Sequence, residues 1–406
     1  MGTIELDKIR AETPGCAEVL HFNNAGTALP PAPVVDAMVE HLRLEASIGG
    51  YEAADRAESS AERAYPAAAE LIGANRDEIA IMENATRAWG MAFYGIDFGP
   101  GDRILTSRAE YASNYIAYLQ VTRRTGASVE PIPNDEHGQI DVGALRDAID
   151  ERVKLIALTH VPTNGGLVNP AEEVGRVARE AGVLYLLDAC QSAGQLDLDV
   201  ERIGCGLLST TGRKYLRGPR GTGFLYVRRS AMPRLSPPML DLHSASWTAP
   251  DRYELCPDAR RFESWECAVA GKIGLGVAID YALRIGLPAI ERRVCDLAAE
   301  LRARLGAIPG VVCATWAFGA AESSRSLLRA SSRRPSSPPS RRSESTWTSR
   351  AGRRPCWTCP SVGWRPWCAP RCTTTTARRR LTASVRRSRC CARRRVCDHW
   401  YRSAVV

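Results

Sequence analysis

The sequence predicts an α/β protein, with a mostly parallel β-sheet and helices on both of its faces. Three observations support that class. Short apolar runs of strand length recur at residues 78–82, 103–106, 155–159, 184–187 and 223–227. Amphipathic helical stretches such as 171–181 lie between several of them, the rhythm of βαβ units. Most of these runs end in a polar or hydroxyl-rich turn, as the carboxyl edge of a parallel sheet does.

The 406 residues suffice for one large domain and a smaller one. The formal net charge of +9 is unevenly placed. From residue 321 onward there are 21 Arg, no Lys and three acids (Glu322, Glu344 and Asp398), a surplus of +18, which leaves −9 for the rest. Residues 1–320 are therefore mildly acidic, and a nucleic-acid reading rests on the tail alone. Residues 1–20 lack the apolar core of a signal peptide, and no apolar run approaches the roughly 18 residues of a membrane helix. The expectation is a cytoplasmic protein that binds neither membrane nor nucleic acid. Of the 14 cysteines, seven precede residue 321. They lack metal-ligand or framework spacing and read as free thiols, so no metal site is expected.

The tail, residues 321–406, contains no Ile, Phe, Lys, Asn, Gln or Met, yet it holds five Trp and seven Cys. That combination is foreign to an ordinary disordered Arg/Ser segment. Its codons suggest another origin. Cys372 and the four threonines after it must be encoded TGY ACN ACN ACN ACN; one base earlier, the same bases permit V-H-Y-Y-N. Residues 356–360 shift into a run permitting L-L-D-M-P, and residues 364–371 into one permitting L-E-A-V-V-R-A-S. The expectation is a frameshift near residues 314–325. The CxxC at Cys356 and Cys359 is then an artefact rather than a zinc site.

The strand ends hold the chemistry. After the first run comes Glu83-Asn84-Ala85-Thr86-Arg87 at a helix start, where backbone N–H groups and the Thr86 hydroxyl suit a phosphate; an ordinary N-cap suits the same residues. After the second comes Tyr111, able to stack on a flat ring or to pack at the surface. After the third comes His160-Val-Pro-Thr163-Asn164-Gly-Gly, a polar Gly-rich turn that serves the site or is purely structural. After the fourth comes Asp188-Ala-Cys190-Gln191. A carboxylate there needs a cation or hydrogen bonds, and it serves either a cationic ring nitrogen or a helix N-cap. Then comes Lys214 in STTGRKYLRGPRGTG. It is no P-loop lysine, because the glycines follow it and GxxxxGK[ST] is absent. A lysine at a sheet edge can form a Schiff base with an aldehyde. The ordered set suits pyridoxal 5'-phosphate, with Lys214 on the aldehyde, Asp188 on the pyridine nitrogen, Tyr111 on the ring, and Ala85, Thr86 and Thr211 on the phosphate.

These residues resemble the class V aminotransferase family of fold-type I pyridoxal-phosphate enzymes. That group includes cysteine desulfurases, selenocysteine lyases, isopenicillin N epimerase-like proteins and hercynylcysteine sulfoxide lyase. The resemblance runs from His21-Phe-Asn-Asn24-Ala-Gly26 to about residue 310, and it is most specific at Asp188–Gln191 and at Thr211-Gly-Arg213-Lys214 with Gly218-Pro-Arg-Gly221. It implies a large cofactor domain over 21–265 after an N-terminal segment, and a smaller α+β domain starting over 266–320. It further implies a homodimer. By the same resemblance Gln191 lies near the ring hydroxyl, Arg213 and Thr211 lie near the phosphate, Thr163 belongs to the cofactor site, and Asn24 and Gly26 meet the substrate.

Several positions depart from the desulfurase pattern. Arg213 and Tyr111 stand where histidines are common, Thr163 where an asparagine is, and Trp265 where a small residue is. Arg213, Glu110-Tyr111 and Ile48-Gly-Gly-Tyr51 look most similar to the sulfoxide-lyase branch. A desulfurase also needs a mobile nucleophilic cysteine, and no in-frame residue offers itself. The expected activity is therefore carbon–sulfur β-elimination on an amino-acid substrate of the cysteine-conjugate class, with Lys214 as the base. Transamination and epimerisation are alternatives, and an Arg-rich nucleic-acid-binding protein is a remote one. The family's carboxylate-binding arginine exists here only in the shifted frame, at Cys368 and Ala369, so the chain as printed is expected to bind substrate poorly.

Overall fold

In the computed structural model, residues 4–163 and 166–311 are described. The expected tail, its CxxC and its shifted-frame arginine lie outside the described residues, as does Asn164.

Runs of β-branched and leucine side chains without polar interruption can form strands only where both faces are covered. Five of them become the strands β1 (Ile79–Met82), β2 (Arg103–Ser107), β4 (Val153–Thr159), β5 (Leu184–Asp188) and β7 (Gly223–Val227). Two further sheet strands carry no such run. The strand β3 (Ser128–Ile132) is half exposed and contains Pro131, which an edge position tolerates because no ladder donor is needed there. The strand β6 (Leu207–Thr211) ends in three hydroxyl residues, yet all five of its residues are buried. A hairpin, β8 (Ala245–Ala249) and β9 (Arg252–Leu255), completes the set.

The seven-stranded sheet has the order β1-β7-β6-β5-β4-β2-β3. From β6 to β3 the pairings are parallel, and β7 is reversed against both of its neighbours. Alternation of side chains divides the core into two layers. Leu105, Ile156, Leu158, Leu187, Leu208 and Phe224 face one, with Ile72, Val174, Val177 and Ile279 from the helices Ala64–Ile72, Ala171–Glu180 and Val269–Ile285. Ile104, Leu155, Leu186, Leu207 and Leu225 face the other, with Trp89 and Phe93 from Ala85–Phe93 and Tyr118 and Val121 from Ala112–Thr125. The helix Val269–Ile285, expected to open a smaller domain, thus shares a buried layer with the sheet.

Register aligns the chemistry. Thr159 pairs with Asp188, and Asp188 with Ser209. Met82 and Thr211 both pair with Gly223. The carboxyl ends of β1, β6, β5 and β4 therefore open at one edge. A β-carbon on Gly223 would lie 2.3 Å from the Thr210 carbonyl oxygen, so this crossing of three strands accepts only glycine.

The hairpin is tied to the sheet through one carboxylate. Glu263, 7% exposed, accepts from the Ile81 amide at 2.6 Å and the Tyr65 hydroxyl at 2.9 Å, and it contacts His243 Nε2 at 2.8 Å. That hydrogen bond to Glu263 raises the His243 pKa above its ordinary 6.5, against the opposing effect of partial burial.

Two outcomes follow from this packing. Where the helix Ala171–Glu180 meets the turn at Ile203, a β-carbon on Gly175 would lie 1.7 Å from the Ile203 carbonyl oxygen, so Gly175→Ala should cost about 3 kcal/mol in chemical denaturation. The His243–Glu263 contact is raised in the folded state, so its stabilisation is complete below the unfolded value of about 6.5 and is lost as pH rises through the folded value. Melting temperatures measured from about pH 6 to 8 should fall along that part of the curve, and His243→Gln should flatten the fall.

Candidate active site

The strand ends enclose a cavity of about 220 Å³, lined by Asn84, Ala85, Thr86, Tyr111, Thr159, Val161, Thr163, Asp188, Cys190, Gln191, Thr211, Arg213 and Lys214. Nine residues selected from the sequence meet there, from five separate segments: Ala85 and Thr86, Tyr111, Thr163, Asp188 and Gln191, and Thr211, Arg213 and Lys214. The other two, Asn24 and Gly26, do not line the cavity but belong to a segment bound to its rim. A guanidinium N–H of Arg213 donates to the Gly26 carbonyl, Ala28 N donates to the Arg213 carbonyl at 2.9 Å, and Gln191 Nε2 donates to the Ala25 carbonyl at 3.2 Å. Arg213, expected at the phosphate, thus spends part of its donor set on this N-terminal segment.

Lys214 follows β6 and is 8% exposed, and its amine has no hydrogen bond or ion pair among the described residues. Asp188 closes β5 and is 5% exposed. Its Oδ1 accepts from Cys190 N at 3.0 Å and its Oδ2 from Asn114 Nδ2 at 2.9 Å. Neither donor is a cation, so the carboxylate is hydrogen-bonded but not neutralised. The N-cap expectation holds only in part, since Asp188 does bond an amide two residues on, while no helix follows directly.

Behind Asp188 lies a second carboxyl group. Glu110 Oε1 accepts from the Tyr111 amide at 2.6 Å, from Asn114 Nδ2 at 3.1 Å and from the Thr159 hydroxyl. Its Oε2 accepts from the hydroxyls of Thr106 at 2.7 Å and Tyr118 at 3.1 Å. Burial pushes the Glu110 carboxyl above its ordinary range, with the Asp188 charge acting in the same direction and the two threonine hydroxyls against it. Tyr111 caps the helix Ala112–Thr125 and keeps its ring 39% exposed at the cavity.

At the opposite end of the set, the helix Ala85–Phe93 begins with Asn84, whose side chain accepts from Arg87 N at 2.9 Å. The amides of Ala85 and Thr86 have no helical acceptor and sit in the cavity wall. The N-cap reading holds at Asn84, and the same helix start leaves amides that suit an anion.

Sequence reasoning missed Asn84, Thr159, Val161 and Cys190 as lining residues, and Asn114 altogether. Thr159 and Val161 flank His160 at the end of β4 and could have been found by the rule that located Thr163. Asn114 had no local signal, since only the fold brings it against Asp188. Cys190 carries a neutral thiol: burial pushes it well above its ordinary range, and the Asp188 charge adds to the effect. The other five described cysteines, 16, 205, 256, 267 and 295, are all pushed upward too, in each case chiefly by burial.

These donors fit pyridoxal phosphate. A nearly buried amine without a partner suits an aldehyde. A buried carboxylate without a cation suits a protonated ring nitrogen. Gln191 Oε1 is buried without a hydrogen-bond donor, which suits a ring hydroxyl. Free amides at a helix start suit a phosphate.

Residues 20–326 match the aminotransferase class-V family. The chain is 34% identical over 310 residues to the probable cysteine desulfurase of Methanothermobacter thermautotrophicus, covering 76% of this chain and 77% of that one. It is 31% identical over 327 residues to probable cysteine desulfurase 2 of Mycobacterium leprae, with 76% and 77% covered. The apo structure of the cysteine desulfurase from Thermococcus onnurineus NA1 superposes with a TM-score of 0.70 at 30% identity, over 75% of this chain and 77% of that one. The cystine C–S lyase C-DES shares the fold, with a TM-score of 0.69 at 24% identity over 73% and 81%. The family match spans the whole described sheet and every residue of the cavity, and it makes this chain a member of the aminotransferase class-V family and a pyridoxal-phosphate enzyme.

Proposed function

We propose that the chain cleaves the carbon–sulfur bond of a cysteine-derived substrate by β-elimination. The observation that carries this reading is the Lys214 amine, unpaired among the described residues, in one cavity with the buried Asp188, which has no cation partner among them. When bound, pyridoxal phosphate supplies an electron sink for the negative charge that develops at the substrate α-carbon. Lys214 Nζ, freed of competing hydrogen bonds, takes the α-proton as general base. Asp188, held by Asn114 and the Cys190 amide, keeps the ring nitrogen protonated. Ala85, Thr86 and Thr211 hold the phosphate, Tyr111 covers the ring, and Gln191 faces the ring hydroxyl. The C–S bond breaks with its electron pair on sulfur, a thiol leaves, and the released enamine hydrolyses to pyruvate and ammonia.

Among the described residues, no cysteine offers itself as a nucleophile that would take sulfur from the substrate. A nucleophilic cysteine needs a lowered pKa, and all six described cysteines are shifted upward. A desulfurase reading is favoured in turn by the names of the relatives. None of the six described cysteines forms a disulfide with another described residue, which supports a reducing, cytoplasmic setting. We also propose a homodimer. Leu242 and Tyr51 at 77%, Trp247 at 74% and Phe22 at 66% exposure supply apolar surface that a second copy would bury. Light scattering should give twice the chain mass; a monomer overturns that part.

Incubation with cysteine S-conjugates should release pyruvate, ammonia and thiol in equal amounts. Lys214→Ala should lower the rate by about a thousandfold or more and abolish the visible absorption of the bound cofactor. Persulfide accumulating on the protein means a desulfurase. Cofactor left in its amine form means an aminotransferase, and inverted substrate with no released product means an epimerase.

A further inference from the structure

The network behind Asp188 has a definite logic. Asn114 is 4% exposed and uses its two amide hydrogens on two different carboxyl groups, Asp188 Oδ2 at 2.9 Å and Glu110 Oε1 at 3.1 Å. A carboxamide can be turned by 180°, which exchanges its donor and acceptor ends. In this pocket the turn would set Asn114 Oδ1 against both carboxyl groups at once. Glu110 therefore acts together with Asp188 in fixing the amide end of Asn114 toward both carboxyl groups.

Glu110 is itself held from four sides: by Thr106 at the end of β2, Thr159 at the end of β4, Tyr118 within the helix Ala112–Thr125, and the Tyr111 amide at that helix's start. Asn114 continues the chain of bonds to β5. One oxygen of the Asp188 carboxylate is thus tied through Asn114 to β2, β4 and one helix, none of which contains Asp188, while the other is held by the Cys190 amide. The charged and titratable groups around this line are Glu110, Tyr118, Asp188 and Cys190, with Lys214 and Arg213 near Cys190 across the cavity.

We propose that Asn114, oriented by Glu110, is a positioning residue that holds the Asp188 carboxylate in place for the cofactor ring nitrogen. The inference rests on the pyridoxal-phosphate reading above and adds to it the residues that set the geometry at Asp188. Asn114 supplies a neutral donor, so it fixes Asp188 without consuming its charge, whereas a lysine or arginine there would neutralise the carboxylate before the ring arrived. Glu110 supplies the direction, because a carboxyl acceptor binds the amide end more strongly than a neutral oxygen does.

The test uses the full chain, pyridoxal phosphate, and two readouts besides turnover: the cofactor dissociation constant and the pH at which the visible band of the bound cofactor titrates. A less firmly held Asp188 protonates the ring nitrogen less. The positive charge that opposes a proton at Lys214 Nζ is then weaker, and the midpoint moves up. Asn114→Ala should weaken cofactor binding about tenfold and raise the midpoint by about one pH unit. Glu110→Gln keeps the shape and offers Asn114 an amide oxygen in place of a carboxylate, so a loss of about threefold in the same direction is expected. Because Glu110 acts through Asn114, the double variant should match Asn114→Ala alone on both readouts. The inference is overturned if Asn114→Ala lowers the melting temperature and leaves affinity and midpoint at their wild-type values, which is the signature of packing alone. It is also overturned if the Glu110→Gln effect persists in full in the Asn114→Ala background. A wild-type chain that takes up no cofactor overturns the functional reading itself, and this inference falls with it.

Discussion

A carboxylate buried at the end of a strand without a cation is the constraint on which the rest of this site depends. Removing such a charge from water is costly unless hydrogen bonds and a counter-charge replace the solvent. Asp188 receives the hydrogen bonds from Asn114 and from the Cys190 amide. It lacks the counter-charge among the described residues. The fold thus maintains an unbalanced negative site beside a nearly buried, unpaired amine on Lys214. Both imbalances are relieved by one molecule that brings a protonated ring nitrogen and an aldehyde.

Holding that carboxylate requires a rigid frame, and the sheet provides one. Asp188 pairs in register with Thr159 on one side and Ser209 on the other. Thr159 reaches Glu110, which reaches Asn114, which returns to Asp188. The loop of bonds closes across three elements, each of them packed on one of the two buried layers. No residue in it can shift without moving another, which is how a doubly covered sheet transfers the precision of its core to a polar site at its edge.

The two sides of the cavity differ in kind. On the Asp188 side the groups are satisfied by one another. On the helix Ala85–Phe93 side they are left open: amides without acceptors at a helix start, waiting for an anion. Arg213 stands between, bound through Gly26 to the N-terminal segment. Residues 24–28 are thereby fastened to the loop that carries Lys214, so a stretch far away in sequence becomes the rim of the site.

Much of this was legible in the sequence because it depends on local rules. Uninterrupted apolar runs specify strands buried on both faces, and parallel strands deliver their carboxyl ends to one edge, so the residues after four runs, with Lys214 before the fifth, could be read as neighbours. That is why Ala85, Thr86, Tyr111, Thr163, Asp188 and Lys214 were all found. What tertiary structure alone decided depends on register and on contacts between elements. The strand β6 was hidden because burial, not composition, makes a strand of three hydroxyl residues. Asn114 was hidden because nothing in its helix marks it; only the fold brings the start of that helix to the end of β5 and turns an ordinary asparagine into the partner of Asp188. The placement of Asn24 and Gly26 at the rim rather than in the cavity, and the turning of Arg213 toward them, likewise follow from long-range hydrogen bonds between residues 25–28 and the loops after β5 and β6. Sequence determined which groups reach the edge of the sheet, because period and polarity act locally; the fold determined which of them touch, because contact is set by packing across the whole core.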